Sequence, residues 1–339
     1  MQPLTRYAAT PADLANLLAD EPRYRAEQVW DALWRRRVPL EDATELPKPL
    51  RARLADALPL ALTPIASATA ADGLTSKWRF ATADGAEVET VLMRSPRRAS
   101  VCISSQAGCA MACPFCATGQ AGFERHLTAG EIVEQVLRAQ HASPQRVTNV
   151  VYMGMGEPLA NYDPVWESVT LLHDALGVSA RRLTISTIGV VPGMRRLAAE
   201  SLPVTLAVSL HAPDDDLRSQ LVPLNHRYPI ADVLDAAADV AGAHSRRVTF
   251  EYACISGLND GPAQAEALGR LLGAWPGVGG AHVNLIPLNP TPGFAGTAAP
   301  STRVQAFARS LREHGVTVTI RRTRGRDIDA ACGQLRRAR

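Results

Sequence analysis

Lysine is almost missing from this chain. Of its 36 basic residues only Lys48 and Lys77 are lysines, and the other 34 are arginines. Arginine forks suit phosphate and stacked bases better than lysine does. Genomic base composition produces the same bias, and a net charge of +3 names no partner by itself. Long apolar runs are missing too. No stretch approaches the 18 or so apolar residues of a membrane span, and the N-terminus, "MQPLTRYAATPADLANLL", has no basic head followed by an apolar run. Neither a membrane location nor a secretion signal is expected, which places the protein in the cytoplasm. Cysteine is scarce, and half of it sits in one cluster, so a spread disulfide framework is excluded. In a reducing compartment such clustering favours metal binding or catalysis.

What is present describes an ordinary globular chain, 46% apolar and 20% charged, long enough at 339 residues for one large core or two smaller ones. Residues 1–65 read as a small helical domain. "PADLANLLAD", "RAEQVWDALWRRR" and "LPKPLRARLADAL" carry apolar residues at helical spacing, with Pro11 and Pro22 where helices start. Residues 66–98 switch to alternation around Ala83-Asp84-Gly85, a β-hairpin extension with Glu89 in its second strand. From 99 to 339, β-branched segments near 101–104, 147–153, 183–187, 204–210, 248–254, 282–286 and 316–320 alternate with helical stretches. The order predicts an α/β fold, a full or partial (β/α) barrel of parallel strands. Two arginine-rich runs, 23–37 and 321–339, read either as solvated faces or as an RNA-facing surface.

Polar and glycine residues follow strand after strand: Gly156 and Glu157 in "GMGEP", Ser186 and Thr187 in "STIG", Ser209 and His211 in "SLHAP", Asn289 in "PLNPTPG". Each alone is weak. Together, at the C-terminal ends of barrel strands, they predict one ligand mouth. His211 is either a core histidine or part of the mouth.

"GCAMACPFCATG" places Cys109, Cys113 and Cys116 directly after the first barrel strand. Three thiols need a fourth ligand to close a zinc site, with His126 the nearest candidate. An iron–sulfur cube instead accepts three thiolates and leaves one iron free. The C-x3-C-x2-C spacing, with Phe115 before the last thiol, resembles the signature of the radical S-adenosylmethionine (SAM) superfamily. The resemblance implies a [4Fe-4S] cluster on Cys109, Cys113 and Cys116, with SAM on its open iron and Gly156, Glu157, Ser186, Ser209, Leu210, His211 and Asn289 around SAM.

Cys102, Cys254 and Cys332 remain. Taken singly, each reads as a small buried apolar residue, and Cys254 keeps that reading. For the other two, "CISSQAGCAMACPFCATG", "VVYMGMGEPLANY", "RRLTISTIGVVPGM", "SLHAPDDDLRSQLVPLN", "HVNLIPLNPTPG" and "TRGRDIDAACGQL" resemble, in order and over nearly the whole chain, the RlmN/Cfr family of radical SAM RNA adenine methyltransferases. The family implies that Cys332 is methylated by one SAM. A 5′-deoxyadenosyl radical from a second SAM takes a hydrogen atom from that methyl group, and the carbon adds to adenine as a protein–RNA crosslink. It further implies that Cys102 resolves the adduct, leaving a transient Cys102–Cys332 disulfide, and that Glu89 accepts a proton. An electron donor such as flavodoxin or ferredoxin and a disulfide reductant are implied partners, with 23S rRNA and some tRNAs as substrates and a monomer as the working unit. The chemistry is reasonable, because adenine C2 is too poor a nucleophile to attack a sulfonium directly and the cofactor carries the hard step.

RlmN-type members methylate adenine C2 and Cfr-type members C8. "IPLNP" and "RRTRG" resemble the former, "ISTIG" and "NHRYPI" the latter. The segments nearest Cys332 and Asn289 carry more weight, so C2 is expected. A non-catalytic zinc-containing RNA-binding protein, and an enzyme of this fold acting on protein or a small molecule, stand as alternatives.

Overall fold

The computed structural model describes residues 4–96, 98–321 and 323–336. Helices α1 (Pro11–Leu17), α2 (Tyr24–Trp30) and α3 (Lys48–Ala57) open the chain. Thr10 and Asp13 form a capping box at the start of α1, and proline occupies the first turn of α1 and α3. Leu14, Val29, Trp34, Leu50 and Leu54 pack inward, with Tyr7 edge-on to Trp34 at 6.0 Å. Part of the first arginine run is used within the chain: Arg35 and Arg36 pair with Asp31, and Arg37 donates to the Leu176 carbonyl. The second run, 321–339, lies partly outside the described residues.

Strands β1 (Leu62–Thr69), β2 (Thr75–Thr82) and β3 (Glu87–Ser95) form an antiparallel sheet, β2 and β3 turning at the expected Ala83-Asp84-Gly85. The start of β1 falls within the stretch read as helical. Pro64 is tolerated there because β1 is an edge strand that shifts register between Pro64 and Ala66. β3 also pairs antiparallel with β4 (Arg98–Cys102), so the hairpin is built onto the main sheet.

Beyond β4 follow β5 (Gln106–Gly108), α4 (Ala117–Ala121), β6 (Phe123–His126), α5 (Ala129–His141), β7 (Val147–Tyr152), α6 (Tyr162–Asp174), β8 (Leu183–Thr187) and α7 (Val191–Ala198). The chain continues through β9 (Thr205–Ser209), α8 (Asp215–Leu221), α9 (Ile230–His244), β10 (Thr249–Cys254), α10 (Pro262–Gly273), β11 (His282–Pro287), α11 (Ser301–Glu313) and β12 (Thr317–Ile320). β5 and β6 form a small separate sheet. The main sheet runs β1-β2-β3-β4-β7-β8-β9-β10-β11-β12, and every pairing from β4 to β12 is parallel. β12 ends that order, so the cylinder stays open beside it: a partial (β/α) barrel. Helices cover its outside, burying Val133, Val169, Met194, Val233, Leu268 and Leu311 against the strands.

Two buried polar residues on α5 position the loop that leads to the cysteines. Gln135 bonds both the N–H and the C=O of Ser104 and the hydroxyl of Thr90. Glu134 takes the N–H groups of Ala61 and Leu62 at 2.7 and 3.3 Å, tying the start of β1 to the barrel. No helix among the described residues is long and apolar enough to cross a membrane.

Candidate active site

The cysteine loop closes on itself through its backbone. The Cys109 N–H donates to the Gly122 carbonyl at 2.9 Å, and the Cys116 N–H to that of Cys113 at 3.1 Å. Gly108, at φ +76, has no room for a side chain: a Cβ would lie 2.0 Å from the Gly122 oxygen. Gln120 braces the loop from below by donating to the Pro114 carbonyl at 2.6 Å. Cys109, Cys113 and Cys116 then face one cavity of roughly 170 Å³ at the C-terminal ends of the strands. Burial pushes the Cys109 thiol up to about 12 and the Cys113 thiol higher still. As free thiols they would stay protonated, and coordination to a metal is what makes such groups thiolates.

His126 does not join them. Its Nδ1 lies 3.0 Å from Gln106 Nε2, and its ring packs against Phe123. Among the described residues no three or more His, Cys, Asp or Glu side chains converge on a point that could hold a single metal ion. A zinc site needs four ligands within about 2.3 Å of one point. A cube takes each of its three thiolates on a different iron, so the thiols need not share one point.

The same cavity is lined by Gly156, Glu157, Ser186, Ser209, His211, Asn289 and Cys332. At Gly156, φ +100, a Cβ would stand 2.5 Å from the Gln106 Cβ, so this turn approaches the β5 strand as only glycine can. Gln106 Oε1 in turn accepts from the Glu157 N–H at 2.8 Å. The Glu157 carboxylate accepts from the Leu159 and Ile188 N–H groups at 3.0 and 2.9 Å, yet burial pushes it up to about 7. A cationic ligand group beside it would restore its charge.

His211 sits at φ 63 with its Nδ1 accepting from the Ala253 N–H at 3.0 Å, which leaves the proton on Nε2. Burial drives its pKa down to about 3, so the ring is neutral, edge-on to Phe115 at 4.9 Å. The Leu210 side chain is buried outside the cavity lining, while its carbonyl accepts from Arg218 Nε at 3.1 Å. Asn289 donates to the Cys332 carbonyl at 3.0 Å, and its Oδ1 is buried with no hydrogen-bond partner among the described residues. A free buried acceptor aimed at a cavity is what a ligand hydroxyl or amine would satisfy. On these grounds the residues present fit both a cluster and SAM.

The segment bearing Cys332 is fastened over this cavity. The Ala117 N–H donates to the Gly333 carbonyl at 2.8 Å, Thr118 Oγ1 to the Leu335 carbonyl at 2.5 Å, and Gln334 Nε2 to the Pro290 carbonyl at 3.2 Å. Cys332 lies in the wall shared with a second cavity of roughly 540 Å³, which runs along β3, β4, β11 and β12. By its side-chain accessibility Cys332 is exposed. The protein around it still raises its thiol pKa, and the positive charge of Arg321 opposes that shift. Cys102, at the end of β4, packs with Val91, Met93, Met155, Ala330 and Leu335. Burial first, and Cys332 second, push its thiol up to about 12. Cys254, the last residue of β10, is in the core and lines neither cavity.

Glu89 is buried but lines neither cavity. Its carboxylate pairs with Lys77 Nζ at 2.9 Å and accepts from the Arg336 N–H at 2.9 Å, so it lies under the C-terminal segment. Sequence reading left out several residues. Glu251 is buried in the first cavity and accepts from Asn284 Nδ2 at 2.8 Å. An acid inside the apolar run 248–254 was the signal for it. Gln106, Thr118 and Arg321 had no local signal, because their partners come from remote segments.

A model of the radical SAM superfamily matches residues 103–267 of the chain. Proteins from Frankia alni and Salinispora tropica, each named a probable dual-specificity RNA methyltransferase RlmN, are both 51% identical to it. The alignments cover 98% and 93% of this chain and 85% and 87% of theirs. A solved structure described as a radical SAM methyltransferase from Sphaerobacter thermophilus is 49% identical, with a TM-score of 0.93 over 98% of this chain and 99% of that one.

Proposed function

Because this chain belongs to the RlmN family of radical SAM RNA methyltransferases, we propose that it methylates C2 of a specific adenosine in 23S rRNA, and adenosines in some tRNAs, through Cys332. The observation that carries the reading is the position of Cys332. It is fastened beside Cys116 by the Ala117–Gly333 bond and opens into the second cavity on its other side. A sulfur that must first receive a methyl group and then hand its carbon to a base has to face both.

Cys109, Cys113 and Cys116 would hold a [4Fe-4S] cluster, and Glu157, Ser186, Ser209, His211 and Asn289 would hold SAM. When bound and reduced, that pair supplies hydrogen-atom abstraction, with two SAM consumed per methyl transferred. The protein's own part is positional. Asn289 holds the Cys332 carbonyl, and Arg321 lines the second cavity with Cys332. Neutral His211 and apolar Phe115 and Leu288 keep water out of the first cavity. Cys102, close enough to Cys332 to be felt electrostatically, would resolve the adduct through a transient disulfide, which a cellular reductant then opens. Glu89, paired with Lys77, would accept the proton, and for that the segment at Arg336 has to move aside.

The helical unit 1–65 would be an accessory RNA-binding domain. Exchanging Arg23 and Arg35 for Glu together should weaken RNA binding and flatten its salt dependence. Unchanged binding would remove that assignment. For the reaction itself, modified rRNA should carry the methyl group on adenine C2, and Cys332→Ala should retain iron and sulfide while forming no product. Methyl on C8 would make the enzyme Cfr-like. Product from Cys332→Ala would end the mechanism.

A further inference from the structure

Arg218 stands behind the cysteine loop. It lies on α8 and is fully buried, at 0% exposure. Every bond it makes is to a neutral oxygen. Nε donates to the Leu210 carbonyl at 3.1 Å, Nη2 to the Ile188 carbonyl at 2.5 Å and the Ser209 carbonyl at 3.3 Å, and Nη1 to Asn225 Oδ1 at 2.7 Å and the Tyr228 carbonyl at 3.4 Å. The acid it feels is Asp215, one residue removed: Asn225 Nδ2 reaches Asp215 Oδ1 at 3.0 Å, and Asp215 is occupied with the Ile230 N–H at 2.8 Å. Arg218 has no ion pair among the described residues.

A buried charge is ordinarily paired, because an unpaired one costs several kcal/mol of desolvation. The helix that carries Arg218 packs against the cysteine loop. Leu217, Leu221 and Val222 of α8 and the residues after it pack in one apolar cluster with Cys113, Phe115 and Cys116. Cys113 and Arg218 influence each other electrostatically.

We propose that Arg218 is the counter-charge for the iron–sulfur cluster, a positioning residue that both aligns the ends of β8 and β9 and raises the reduction potential of the centre held by Cys109, Cys113 and Cys116. The inference rests on the cluster assignment made above. Three thiolates outweigh the charge of the cluster core, and one-electron reduction adds another negative charge. A fixed cation in a dry environment therefore favours the reduced form. A unit charge about 10 Å from a redox centre, at an effective dielectric of about 20, changes a one-electron equilibrium roughly tenfold or more.

The test is an EPR-monitored redox titration of the anaerobically reconstituted full chain, with iron and sulfide assayed on the same samples. Arg218→Gln should keep the cluster and move the equilibrium toward the oxidised form about tenfold, about 59 mV for one electron. Arg218→Lys retains the charge and should titrate near the wild-type chain. If Arg218→Gln does not fold, Arg218→Met serves instead. It removes the charge while keeping an unbranched side chain, and the same shift is expected. Full cluster content with an unmoved potential in either neutralising variant overturns the proposal. So does loss of the cluster in Arg218→Lys, which would make the residue purely structural. A wild-type chain that binds no iron and sulfide would instead overturn the cluster assignment.

Discussion

Thr118→Val tests how firmly the Cys332 segment is held. The side chains are nearly isosteric, so packing is preserved and one bond is lost, the 2.5 Å contact from Thr118 Oγ1 to the Leu335 carbonyl. Thr118 is 3% exposed, so the abandoned carbonyl finds no water while the segment stays docked. An unsatisfied buried acceptor costs about 1–3 kcal/mol. The undocked segment recovers that energy in solvent, so the docking equilibrium shifts by roughly five- to 150-fold toward release. Two amides report release directly: Ala117, whose N–H is covered by Gly333, and Arg336, whose N–H is held by Glu89. Their hydrogen-exchange rates should rise by that factor, while amides in β7 and β8 stay as they were. Rates at Ala117 and Arg336 within twofold of wild type, in a variant with unchanged thermal unfolding, would refute the idea that the segment is latched through this bond.

Gly156→Ala should cost about 2–4 kcal/mol, from φ +100 and the collision with Gln106 together; thermal unfolding reads it, and a wild-type midpoint would show that the turn relaxes freely. In the metal-free chain, Glu157 has a folded pKa of about 7, above its ordinary 4.5. Its stabilising contribution is therefore complete below the unfolded value and lost as pH rises from about 4.5 to about 7, roughly 3 kcal/mol in all. Glu157→Gln should flatten the stability curve over that window, and an unchanged slope would assign the pH dependence elsewhere. Cys102→Ala should accumulate a covalent enzyme–RNA adduct, visible as a shifted band by denaturing electrophoresis. Clean turnover would return Cys102 to a packing role.

The parallel strands were legible because each is a short β-branched run between helical stretches, and 183–187 was read with the bounds that β8 has. The ligand mouth was legible for a topological reason: in a parallel barrel every strand end faces one side, so Glu157, Ser186, Ser209 and Asn289 had to gather there. β1 was not legible, since Pro64 and a run of small residues carry no strand pattern, and only its pairing with β2 makes it one. Glu89 could be placed in its strand but not in its surroundings. That it lies under Arg336 rather than in a cavity depends on where the C-terminal segment docks.

By itself, the sequence determined what is local: the three-thiol loop with its glycine at Gly108, the order of strands and helices, and the chemistry available at each strand end. Only the tertiary structure decided that Gly333, next to Cys332, bonds the residue following Cys116, more than two hundred positions earlier in the chain. Only the tertiary structure left Arg218 buried among carbonyls with no carboxylate at hand. The reason is physical. A helix or strand repeats on a period that a few residues reveal, whereas a contact between distant segments depends on how all the intervening elements pack and leaves no mark on either segment alone.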